Sequence, residues 1–147
     1  MTQTIVPTVS SDTAGPLGAI HLPRLWLKQT LDCAGRLADG YDACGNGFDA
    51  MTLANLNLDR DETIAYIRDK HPTYMQFEQW VLDKNGGTIS QGAIDRHNAA
   101  IRGYNHGDDT AASMRSASGV ANPDIADAVT LNTIEDLDEV HRAVTKA

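Results

Sequence analysis

Along most of this chain apolar residues recur at intervals of three and four, and no segment alternates with the period of two that a half-buried strand needs. The nearest approach to a strand, TIVPTV at Thr4 to Val9, contains Pro7, which cannot donate to a ladder. This spacing predicts an all-α fold, a compact single-domain bundle of about five to seven helices. At 147 residues the chain has the length of one domain. Residues 1–18 are rich in Ser, Thr, Pro and Gly and read as a flexible N-terminal arm, with the helical domain over 19–147.

Start and stop signals divide the helical part. Pro23 suits a first turn, and Leu27, Leu31, Ala34 and Ala38 then form an apolar stripe with Trp26, Cys33 and Leu37 beside it. Lys28, Asp32 and Arg36 fall on the wet side of that helix, and Gly40 can end it. Phe48, Met51, Leu53 and Leu56 predict a short second helix. Asp59 with Glu62 and Thr73 with Gln76 carry the spacing of capping boxes and open two more helices. Ile64 and Ile67 face inward on the first of these, and Pro72 stops it; Phe77, Trp80 and Val81 face inward on the second, and Asn85 to Gly87 end it. Ser90 opens a fifth helix with Ile94, His97, Ile101 and Tyr104 on one stripe. TAASMRSASG, from Thr110, reads as a turn or two of helix, and Asn122-Pro123 as the cap of another short one. Thr133 opens the last helix, with Ile134, Leu137, Val140 and Val144 inward.

The formal net charge of −8, with no local Lys/Arg cluster, argues against nucleic acid and anionic membrane surfaces as partners. The N-terminus lacks the basic and apolar regions of a secretory signal, so a cytoplasmic protein is expected. Cys33 and Cys44 have no paired spacing, which points to free thiols and away from structural zinc. The broad apolar face of the first helix and the two Trp residues leave monomer and homodimer equally open.

Three constellations carry possible chemistry. DKNGGTIS, from Asp83, begins like a calcium loop, but Gly87, Thr88 and Ile94 stand where a ligand, a glycine and a glutamate are needed. NHGDD, Asn105 to Asp109, gathers an imidazole and two carboxylates without a ligand spacing, and Asp109 as an N-cap explains it more simply. DGYDACGNGFDAM, Asp39 to Met51, places Cys44 among glycines near a helix start, where a thiol pKa can be lowered. Its bland explanation is a sharp turn built on Gly45 and Gly47. His97, on an apolar stripe, is either a satisfied core residue or a proton-transfer group.

His21 to Ile67 (HLPRLWLKQTLDCAGRLADGYDACGNGFDAMTLANLNLDRDETIAYI) and Gln76 to Ile101 resemble an uncharacterised bacterial domain-of-unknown-function family of small helical proteins. The resemblance is carried by Leu22, Pro23 and Arg24, by Gly35, Leu37 and Ala38, and by Tyr41, Cys44, Gly47 and Asp49. It covers about residues 20–104, with a weaker echo at Thr133 to Arg142. Asp32 departs from the family's usual basic residue, and Gly86-Gly87 from its Gly-Pro. The resemblance implies an all-α fold and a shared role for the Tyr41–Cys44 turn, but no reaction.

The leading expectation is a small cofactor-independent enzyme of lyase, isomerase or hydrolase type, acting by acid–base chemistry on a small, partly apolar molecule. No P-loop, GxGxxG or Ser-His-Asp signature stands in the sequence, and no metal is assigned. The expected catalytic group is His97 for proton transfer, Asp42 or Asp49 to orient it, Tyr41 on a substrate oxygen, and Cys44 as nucleophile or wall. Trp26, Phe48, Phe77, Trp80 and Tyr104 are the expected substrate-binding residues. The alternative is a non-catalytic helical module that binds a protein partner or small ligand through the same groove.

Overall fold

The computed structural model describes residues 3–146. Among them are seven α-helices: α1 (Leu22–Cys33), α2 (Phe48–Asn55), α3 (Arg60–Lys70), α4 (Tyr74–Lys84), α5 (Gln91–Arg102), α6 (Asp108–Ser118) and α7 (Ala128–Thr145). Among the described residues strand pairing is limited to two isolated bridges, Ile5 with Leu37 and Asn105 with Asp127. The protein is all-α. No described helix is long and apolar enough to cross a membrane.

Local chemistry sets most helix ends. Asp59, Thr73, Ser90 and Asp127 each accept a backbone N–H in the first turn of α3, α4, α5 and α7, and Thr73 with Gln76 completes a reciprocal capping box. α1 stops earlier than its stripe suggests. Gly35, at φ 67°, donates to Asp32 O while Arg36 donates to Leu31 O, the paired bonds of a Schellman ending. Leu37 and Ala38 therefore lie beyond the helix, and Leu37 bridges to Ile5.

α1 packs on α3 and α4, α2 on α5, and α7 on α5 and α6. The main apolar cluster surrounds Phe77 and includes Leu22, Leu25, Leu56, Ile67, Val81 and Ile94. A smaller one joins Ile20, Phe48, Ile101 and Ala128.

The segment before α1 is tied into the bundle. Ile5 exchanges backbone bonds with Arg36 and Ala38, and the Arg24 guanidinium donates to Pro7 O and Val9 O. Leu17 N–H donates to Glu78, and Asn98 bonds both Gly18 O and Ile20 N–H. Composition could not show this, because the groups that satisfy the arm's backbone, among them the Arg24, Glu78 and Asn98 side chains, come from elsewhere in the chain.

The C-terminal third departs most from expectation. α6 runs three turns, with Gly107 as N-cap and Asp108 and Asp109 in the first turn, where carboxylates favour the positive end of the helix. Asn122 and Pro123 form a turn, closed by Asp124 N–H on Asn122 Oδ1, and cap no helix. α7 begins at Ala128, ahead of Thr133, and buries Ala128, Leu131 and Asp136. Leu137 and Val144, expected inward, are 61% and 74% exposed. With about 100° between neighbouring residues on a helix, turning Asp136 inward onto Arg24 turns Leu137 toward water.

Candidate functional site

A cavity of about 380 Å³ opens between α1, the Gly40–Asp49 turn, the Tyr104–His106 segment and the first half of α7. Its floor is a buried polar network centred on Asp49. The turn folds this carboxylate back, so that Oδ2 accepts Gly45 N–H at 2.8 Å. Lys28 Nζ donates to the same oxygen at 2.5 Å, and His21 Nε2 to Oδ1 at 2.7 Å. Burial by itself would raise the Asp49 pKa, but the bonds and charges of His21 and Lys28 outweigh it and hold it at about 2. For His21, burial lowers the pKa and outweighs the pull of the Asp49 carboxylate, with Lys28 and Arg24 adding to the depression. At neutral pH the ring is therefore uncharged, with Nε2–H on Asp49 and Nδ1 accepting the Ser11 hydroxyl at 3.0 Å, and it gains its charge only in acid, where Asp49 titrates.

His21 occupies the N-cap position of α1 in the left-handed region, at φ 68°. A non-glycine residue there carries strain on the order of 1–3 kcal/mol and persists only when its surroundings impose it. Here both ring nitrogens are engaged, and the ring packs edge-on against Phe48 at 5.4 Å. Ser11, His21 and Asp49 thus form a hydrogen-bonded series that no sequence spacing announces. Ser11 is 2% exposed and does not line the cavity, so its hydroxyl orients His21 and faces no ligand.

One turn further along α1, Arg24 makes a bidentate pair with Asp136 of α7, at 2.6 and 3.1 Å. Tyr41 donates its hydroxyl to Asp136 at 2.8 Å, and the guanidinium lies 5.9 Å from the Tyr41 ring centre. Burial, followed by the bond to Asp136 and that carboxylate's charge, pushes the Tyr41 phenol well above its ordinary value. Tyr41 is fixed as a donor.

The open side of the cavity carries less committed groups. His106 Nε2 bonds Asn132 Oδ1 at 3.1 Å, while its Nδ1 makes no hydrogen bond among the described residues. Glu135 stands one turn beyond Asn132 on α7, exposed at the cavity mouth; partial burial, then the Asp136 and Glu139 charges, raise its pKa. Asp42, also exposed, lines the cavity from the turn before α2.

The expected site residues separate accordingly. Tyr41, Asp42, Asp49, Phe48 and Tyr104 all line the cavity. His97 does not join them. It is 1% exposed, with Nε2–H donated to Ile20 O at 2.8 Å and Nδ1 bonded to Asn55 at 3.1 Å. Burial lowers its pKa. That is the bonding of a satisfied core histidine. Cys44 is half-buried outside the cavity lining, and burial followed by the Asp49 charge raises its thiol pKa. The helix start that was expected to activate Cys44 is offset by Asp49 in that same first turn. Trp26 bonds Pro72 O, Trp80 stacks on Tyr66 at 4.5 Å, and Phe77 is the centre of the main core; none lines the cavity.

Sequence reading missed His21, Arg24, Lys28, His106 and Glu135 as site residues. For Arg24 and Lys28 a signal existed, since they lie four apart on a helix with Gly45 and Asp49 four apart downstream, but partner and face were undetermined. Lys28, expected on the wet side, is buried against Asp49. No three His, Cys, Asp or Glu side chains among the described residues converge as a metal-holding group.

Comparison of the chain with protein-family models, with curated proteins and with solved structures found no match in any of the three.

Proposed function

We propose that the protein is a small enzyme that uses proton transfer on a small, partly apolar molecule held in this cavity, in lyase- or isomerase-type chemistry. The observation that carries the proposal is the position of His106. Its Nε2–H is bonded to Asn132, which leaves Nδ1 without a hydrogen-bond partner among the described residues at a cavity wall, where it can exchange a proton with a ligand. Glu135 stands near enough for the two charges to influence each other, so it stabilises the imidazolium formed when His106 takes a proton. Phe48 and Tyr104 supply the apolar wall, and Tyr41 presents a phenol whose proton is held by Asp136 while its oxygen can accept. His21, with both nitrogens engaged, supports the floor and is not the proton carrier.

The test is incubation of the purified protein with mixtures of small metabolites, followed by mass spectrometry. A compound that the wild type converts should be converted ~10²-fold more slowly by His106→Gln, with the melting temperature retained. Conversion unaffected by that change removes His106 from the mechanism. Retention of a compound without any conversion favours the binding-module reading instead.

A further inference from the structure

The cavity's charges are unevenly matched. Arg24 is paired with buried Asp136 and Lys28 with buried Asp49, so neither cation is left to attract an anion. Asp42, from the turn, and Glu135, from α7, line the same cavity and take part in no ion pair among the described residues. Tyr104, 42% exposed, and Phe48 line the cavity as well, their rings edge to face at 5.7 Å. A second feature lies on the floor. The Lys28 side chain is nine-tenths buried and lines the cavity, and among the described residues its ammonium has one hydrogen-bond partner, Asp49 Oδ2, for three N–H groups. An oxygen placed in the cavity would give the ammonium a second acceptor beside Asp49.

We infer that the cavity takes a small organic amine carrying an oxygen acceptor, an amino-alcohol type of molecule. Its ammonium sits between Asp42 and Glu135, its oxygen receives Lys28, and its apolar part lies on Phe48 and Tyr104. An aromatic face adds to the attraction of a cation in such a place. A carboxylate ligand meets the reverse situation, two unpaired acids at the mouth and cations already neutralised below. The inference rests on the reading of this cavity as the working site, but it concerns binding and does not require turnover.

Calorimetric titration with four probes of one shape tests it: 2-amino-1-phenylethanol, 1-phenyl-1,2-ethanediol, 2-phenylethylamine and mandelate. The amino alcohol should bind about tenfold or more tightly than the neutral diol, the gain expected of one or two ion pairs at a cavity mouth, and mandelate most weakly. The amine lacking the hydroxyl should bind more weakly than the amino alcohol, which tests the Lys28 contact without altering the fold. The double variant Asp42→Asn, Glu135→Gln changes only exposed side chains; it should bring the amino alcohol down to the affinity of the diol. Equal affinity for amino alcohol and diol, preference for mandelate, or no binding of any probe at millimolar concentration would overturn the inference. Selectivity for the amine in a protein that converts nothing would uphold it while removing the enzymatic reading.

Discussion

The two sides of α1 solve the problem of burial in opposite ways. Leu22 and Leu25 enter the apolar cluster around Phe77, where contact is non-directional and any well-shaped hydrocarbon would serve. Arg24 and Lys28, on the same helix, are as buried, but each is held by one particular carboxylate, Asp136 and Asp49. The first side is stable because water is excluded. The second is stable only while every charge keeps its partner, since an ion pair adds little net stability but a buried charge without its partner is expensive. The difference teaches where function can reside. The apolar side is closed by its own packing, whereas the polar side leaves a cavity lined by groups that titrate and donate.

The sharpest way to break this comparison is to remove one atom set from each side. Asp49→Ala strands both Lys28 and His21 and should cost about 3–5 kcal/mol, read as a fall in the chemical-denaturation midpoint. Phe77→Ala should cost a similar ~3–5 kcal/mol, so size alone does not separate them. pH does. The Phe77→Ala loss should be the same at pH 7 and pH 3, while the Asp49→Ala loss should shrink at low pH.

The sign follows from linkage. Asp49 is held at about 2, below its ordinary value of 3.8, so its stabilising contribution is complete above 3.8 and is lost as pH falls toward 2. His21 and His97 are also depressed in the fold, so the unfolded chain binds their protons first and stability declines as pH drops below 6.5. The wild-type melting temperature should therefore fall in two stages on acidification. A flat profile between pH 7 and 5 would show that folding does not lower the pKa of either histidine.

A smaller effect distinguishes the two buried histidines. His97→Gln should lower stability by about 1–3 kcal/mol through the bonds to Ile20 and Asn55, and should leave amine binding in the cavity unchanged. A tenfold weaker ligand with this variant would return His97 to the site. The smallest effect is expected on α7, where Leu137→Ser should change stability by no more than about 0.5 kcal/mol, against about 2–5 kcal/mol for Leu131→Ala on its buried face. A large loss at Leu137 would mean that another surface covers it, and sedimentation equilibrium would then identify a homodimer.

Much of the scaffold is legible in one dimension because its causes are local. The capping box of Thr73 and Gln76, the cap at Ser90 and the inward run of Phe77 and Val81 depend on residues within a turn or two of one another. The same holds for the turn at Gly45, whose bond to Asp49 spans four residues. α7 shows the limit. Its apolar residues permit more than one inward face, and the choice was made by Asp136 reaching Arg24 across 112 positions of sequence.

What the sequence alone determined, then, is an all-α chain, most of its helices and the Tyr41–Asp49 turn as a place of interest. Periodicity and capping are short-range and leave little freedom. What only the tertiary structure decided is which charged and titratable groups meet. His21, Lys28 and Asp49 converge, and His97 is turned instead onto a backbone carbonyl, although all four are ordinary residues of a helical sequence. The physical reason is that a hydrogen bond or ion pair depends on distance and direction in space. For groups tens of residues apart, those are fixed only when the helices pack.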